Sequence, residues 1–150
     1  MDLTQSEIEY LLSVLKQIDM KNGDRFDFPT SGTSKKLDLI SCSNNKDKFI
    51  IDINRKKKRV QSLQITFNER YRNDIILVRL DLHGPPHRNP DNQLISGNHL
   101  HIAREGYNDR FAIEVPEKFV NLSDPVRTLI DFLDYCNVVN HSKLKIMGAL

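Results

Sequence analysis

A change of hydrophobic period is the feature that most constrains this chain. Over residues 4–19, Ile8, Leu11, Leu12, Leu15 and Ile18 recur every three or four positions, the stripe of an amphipathic helix. From residue 36 the period shortens to two, and it stays there through six segments: 36–42, 48–54, 59–71, 74–83, 99–105 and 110–115. Helical spacing returns over 124–137 with Val126, Leu129, Ile130, Leu133 and Cys136. Six short strands between two helices, with no linker or repeat, predict one α+β domain over 1–150. The expected form is an antiparallel sheet of about six strands with both helices on one face.

Local signals sharpen these boundaries. Thr4 and Glu7 are spaced as a capping box, in which each side chain satisfies a free backbone donor at the helix start. Gly23 is placed to end the first helix in a left-handed cap. Asp124 or Ser123 caps the second helix, with Pro125 in its first turn. In 74–83 the alternation puts Ile75, Leu77, Arg79, Asp81 and His83 on one face. Ile76, Val78, Leu80 and Leu82 fall on the other, the expected core face.

At 150 residues and 39% hydrophobic content the chain is long enough to bury a core without disulfides or a metal. No apolar run approaches the roughly 20 residues that span a bilayer, and the polar start MDLTQSEIEY is not that of a signal peptide. Cys42 and Cys136 read as small buried hydrophobes of a reducing cytoplasm. Net charge is only +2, but its distribution is uneven. Residues 46–88 carry eleven Lys and Arg against five Asp and Glu, and the flanking segments are each slightly acidic. The run Arg55, Lys56, Lys57, Lys58 and Arg59 lies at a hairpin tip, where it is either a solvated turn or a contact for phosphate or an acidic protein.

Four of the five histidines fall within nineteen residues: His83, His87, His99 and His101. His99 and His101 share a strand face by the two-residue period, and His83 ends a strand on the face of Arg79 and Asp81. The loop GPPHRNPDNQLISGN over 84–98 is long enough to bring His87 over the same edge. The four rings are therefore expected on one polar, solvent-facing patch. Three chemistries fit such a patch. One is general acid–base cleavage of RNA, with His83 and His101 as the leading pair and His87 and His99 in support. Arg88, Arg104 or Arg110 would then steady the charge on phosphorus. Another is a metal site built on the His-x-His pair, with Glu105 four residues beyond His101. In the third, the imidazoles only cap strand ends and fill a rim.

The stretch LDLHGPPHRNPDNQLISGNHLHIAREGYNDRFAIEVP, with the terminal FLDYCNV, resembles the signature of a small uncharacterised family of bacterial and prophage proteins. That signature is an HGPPH loop, an HLHI-x-x-EG strand and a hairpin, and His83, His87, His99, His101 and Glu105 carry over as its site. A looser similarity is to TumE-like toxins of toxin–antitoxin modules. It implies a cytoplasmic ribonuclease-like toxin that acts on RNA without a cofactor or metal and has a cognate antitoxin. The alternative is a non-enzymatic phage or mobile-element protein that inhibits a nucleic-acid-handling host protein. In either case Arg88, Arg104, Glu105 and the basic run 55–59 are the candidate binding residues.

Overall fold

The computed structural model describes residues 3–57 and 64–148. In chain order the elements are α1 (Gln5–Ser13), β1 (Lys16–Ile18), β2 (Arg25–Asp27), β3 (Ser34–Ser41), β4 (Lys48–Arg55), β5 (Ile65–Tyr71) and β6 (Ile75–Leu82). They continue with β7 (His87–Arg88), β8 (Leu94–Ile95), β9 (His99–Ile102), β10 (Ala112–Glu114), α2 (Pro125–Tyr135), a short 3-10 turn at His141–Lys143 and β11 (Lys145–Met147). The fold is α+β. Seven strands form one antiparallel sheet in the order β1-β3-β4-β5-β6-β9-β10, and β2 pairs with β11 in a small parallel ribbon.

The capping box at Thr4 and Glu7 is formed, as is the Asp124 cap, whose carboxylate accepts the Val126 and Arg127 N–H groups. Inward residues of the sheet, among them Phe49, Ile51, Ile53, Phe67, Leu80 and Leu82, form one buried cluster with Ile8 and Leu11 of α1 and Leu129, Phe132 and Leu133 of α2. The Phe67 and Phe132 rings meet at 5.8 Å, which fixes α2 against the centre of the sheet. Among the described residues, no helix is long and apolar enough to cross a membrane.

Four expectations are corrected. The helix predicted over 4–19 stops at Ser13, and residues 16–18 pair with β3 as a seventh strand. Tertiary pairing overrides the helical spacing here: the Lys16 N–H donates to the Asn137 carbonyl, and the Val139 N–H donates to that of Lys16. Leu15 is consequently exposed and Lys16 fully buried, the reverse of the predicted stripe. Gly23 is left-handed as expected, at φ 79°, but in a turn well beyond the helix. Leu77 is buried rather than beside Arg79, because Glu69 pairs with Val78 and Arg70 with Ile76, leaving Leu77 as the extra residue of a bulge. Cys136 is buried as expected, whereas Cys42 is exposed.

Candidate functional site

The face of the sheet away from the helices carries two polar rows set by strand register. Directly paired positions in an antiparallel sheet share a face. One row runs Ser34, Asn54, Thr66, Asp81, His99 and Glu114. The next runs Lys36, Asp52, Asn68, Arg79, His101 and Ala112. Side-chain bonds link neighbours along them, such as Asn54 to Thr66 at 3.3 Å and Asn68 to Asp52 at 3.1 Å.

The 84–98 segment covers the β9–β10 end of this face. It is not a plain loop: β7 and β8 pair as a two-stranded ribbon. Asn89 ties the ribbon down. Its buried amide donates to the Ala112 carbonyl at 2.9 Å and accepts the Ala112 N–H at 2.8 Å, so one side chain satisfies both backbone groups of that residue. This brings His87 over the sheet. Its ring lies 4.6 Å from that of His101 and 5.6 Å from that of His99, and the latter two are 4.9 Å apart. These rings border a cleft of about 490 Å³ lined also by Arg79, Asp81, Lys56, Gln64 and the Gly84–Pro86 turn.

Hydrogen bonds fix the protons on all three rings. His87 Nε2 faces the Arg110 carbonyl at 2.7 Å, His99 Nδ1 faces that of Gly97 at 2.9 Å, and His101 Nδ1 faces that of Asp109 at 2.7 Å. A carbonyl only accepts, so each of those nitrogens carries the hydrogen. In the neutral rings the lone pair is therefore on Nδ1 of His87 and on Nε2 of His99 and His101. Both Nε2 atoms point at Asp81 Oδ2, at 3.3 and 3.2 Å. Arg79 completes the cluster. Its Nε donates to Asp81 Oδ1 at 2.9 Å, Nη1 to Asp109 Oδ2 at 2.7 Å and Nη2 to His101 Nε2 at 3.0 Å. Burial raises the Asp81 carboxyl, but the His101 ring and the Arg79 guanidinium outweigh it and hold the group below its ordinary range.

The predicted site residues thus separate. His87, His99 and His101 come together, but His99 and His101 are buried rather than on a solvent-facing rim. His83 is exposed at φ 58°, past the end of β6; its N–H donates to Asn98 Oδ1, and it lies outside the ring contacts. Glu105 sits against the start of α1, accepting the Gln5 N–H at 2.7 Å and donating its own N–H to Gln5 Oε1. Arg104 stacks on Phe111 at 3.8 Å, and Arg88 donates to the Asn92 carbonyl. Lys56 lines the cleft, Lys57 lies against Gly32, and Arg55 donates to the Pro29 carbonyl. Lys58 and Arg59 lie outside the described residues.

Sequence reasoning missed Asn89 and Asp109, turn residues whose partners are set only by the tertiary fold. It also missed a second polar cluster on the helix side. Lys16 Nζ is 3.2 Å from Glu69 Oε2, and both side chains are fully buried. Burial raises the Glu69 carboxyl to about 7 against the pull of Lys16, and it pushes the Cys136 thiol well above its usual range. Glu69 was detectable as a charged residue in the inward series Ile65, Phe67, Glu69, Tyr71.

No curated protein and no solved structure matches this chain. One family does, over residues 3–138, nearly the whole of the described fold including both helices and the histidine cleft. The chain therefore belongs to the family of unknown function DUF6978.

Proposed function

We propose that the protein acts on RNA in the histidine cleft, as a toxin-like ribonuclease that uses imidazole proton transfer. The observation that supports this is the contact of three imidazole rings in a cleft that also presents Lys56. Imidazoles titrate near neutrality and serve as bases there, and an ammonium group nearby attracts phosphate.

The roles differ from those expected of the sequence alone. His101 has both nitrogens engaged and is buried, so it is badly placed to exchange protons with a substrate. His87 is only partly buried, and its Nε2–H is fixed on the Arg110 carbonyl, leaving the Nδ1 lone pair as the base. In the reaction this nitrogen takes the proton of a ribose 2′-hydroxyl. The freed oxygen attacks phosphorus, the bond to the 5′-oxygen breaks, and that oxygen takes up a proton from water.

The test is cleavage of single-stranded RNA by the purified full chain, with the 2′,3′-cyclic phosphate identified at the new end. His87→Ala should lower the rate by about 10²–10⁴-fold, the usual contribution of a general base. His83→Ala should leave it unchanged. A wild-type protein that cuts no RNA and instead binds a nucleic-acid-handling host protein tightly would replace this reading with that of an inhibitor.

A further inference from the structure

We infer that Asp81, His99 and His101 form a binding site for one divalent transition-metal ion of the zinc type at the floor of the cleft. The inference goes beyond the RNA reading and does not need it. Asp81, His99 and His101 each offer one ligand atom, all within 4.8 Å of one another, and both Nε2 atoms face Asp81 Oδ2. Donors about 2.0–2.1 Å from a tetrahedral zinc ion stand roughly 3.3 Å apart. The two Asp81–imidazole separations, 3.3 and 3.2 Å, already have that length.

The protons make the stronger argument. Both rings donate their Nδ1–H to backbone carbonyls, at Gly97 and Asp109. Metal-bound imidazoles are held in this way, one nitrogen on a carbonyl and the other bare. The other nitrogen of each ring then faces the Asp81 carboxylate, so a cation seated between them would meet three ligand atoms. In the present state Arg79 is the cation beside them, its Nη2 lying 3.0 Å from His101 Nε2 and donating to Asp81 Oδ2 at 3.3 Å. The guanidinium partly neutralises the group in the present state. It can release Nη2 to an entering ion and still hold Asp81 Oδ1 through Nε and Asp109 through Nη1. Three protein ligands leave a fourth position, and since all three line the cleft it is open to water or an anionic oxygen. The N₂O donor set suits zinc, cobalt(II) or nickel(II) better than magnesium or calcium, which take oxygen ligands.

The experiment is titration of the chelator-treated full chain with zinc against a chromophoric competitor. One ion per chain is expected. Asp81→Asn and His99→Gln, chosen for shape, should each weaken binding by at least the roughly 10–100-fold that loss of an outer partner alone causes. X-ray absorption of the zinc-loaded wild type gives a reading that does not depend on either variant folding. Two imidazole nitrogens in the first shell support the site, and fewer overturn it. It is also overturned if wild type takes up no zinc, cobalt or nickel, or if folded variants bind as wild type does; Arg79 is then the permanent cation of the cluster. Zinc uptake without RNA cleavage defeats only the ribonuclease reading, and cleavage in chelator with no metal uptake defeats only the metal site.

Discussion

Among the described residues, Glu69 lies fully buried on the helix side of the sheet and Asp81 half-buried on the open side, and the two carboxylates behave oppositely. On the helix side Glu69 has a single cation, Lys16, and neither carboxylate oxygen has a well-formed hydrogen bond. On the open side Asp81 accepts two bonds from Arg79 and faces two imidazoles. Desolvation therefore dominates at Glu69 and raises its carboxyl to about 7, whereas at Asp81 the partners dominate and lower it. The lesson is that burial alone does not set the charge state of a carboxyl group. The number of donors aimed at it does. One cluster carries cost in a hydrophobic layer; the other is an ordered set of donors and acceptors open to a cleft.

The largest expected effect comes from breaking the helix-side pair. Lys16→Met or Glu69→Leu alone should lower unfolding free energy by about 3–5 kcal/mol, since each leaves a buried partner uncompensated. The double variant should recover most of this, because apolar replacement of a whole buried pair is often neutral or stabilising. Denaturant titration of the four proteins closes the cycle. The pH dependence is a second reading of the same pair. A carboxyl group raised from 4.5 to about 7 on folding contributes stability that is full below pH 4.5 and lost as pH rises through about 7. The span is roughly 3 kcal/mol. The groups facing Glu69 are Lys16 from β1, Cys136 after α2, and Glu9 and Tyr135 across a pocket of about 260 Å³. The double variant should lose this slope. If the slope survives there, it belongs to another group and the contrast between the two faces fails.

On the open side the comparison turns on Asn89. Asn89→Ala leaves both backbone groups of Ala112 without their partner at a buried position. Unsatisfied buried groups cost about 1–3 kcal/mol, less than the helix-side break. The functional effect should be larger in proportion, since the ribbon that positions His87 loses its anchor. Hydrogen exchange should report faster opening at Ala112 with the core amides unchanged, and RNA cleavage should fall about as far as in His87→Ala. Normal cleavage by a destabilised Asn89→Ala protein would mean that the ribbon does not position the reacting group.

These two clusters also show what was legible in the sequence. The period-two runs and the flanking helical stripes were enough for the α+β sheet, because alternation and burial follow from backbone geometry. The pairing of His99 and His101 on one face was legible for the same reason, and so was the face shared by Arg79 and Asp81. Strand β1 was not: Leu15 and Ile18 fit a helical stripe, and only the partners at Asn137 and Val139 draw the segment into the sheet. His83 followed the alternation on paper, but its left-handed backbone takes it out of the strand. Glu105 and Arg104 were near His101 in sequence and are turned to Gln5 and Phe111 in space. Spacing along the chain predicts neighbours within a strand and says little once a turn intervenes.

The smallest stability effect separates Lys56 from Lys57. Both side chains are exposed, but Lys56 lines the cleft, whereas Lys57 packs against Gly32. Lys56→Ala and Lys57→Ala should each change unfolding free energy by less than about 0.5 kcal/mol, as exposed substitutions usually do. Neither touches the carboxylate clusters, so the pH slope and zinc uptake should remain. RNA affinity should divide them. A lysine that contacts phosphate releases a counterion on binding, so its removal lowers the salt dependence of affinity by about one unit of slope on a logarithmic plot. Lys56→Ala should show that change and Lys57→Ala should not. Fluorescence anisotropy with a labelled single-stranded RNA at four salt concentrations measures it. Equal loss in both variants would mean that RNA lies across the hairpin tip, and loss in neither would remove the phosphate from the cleft.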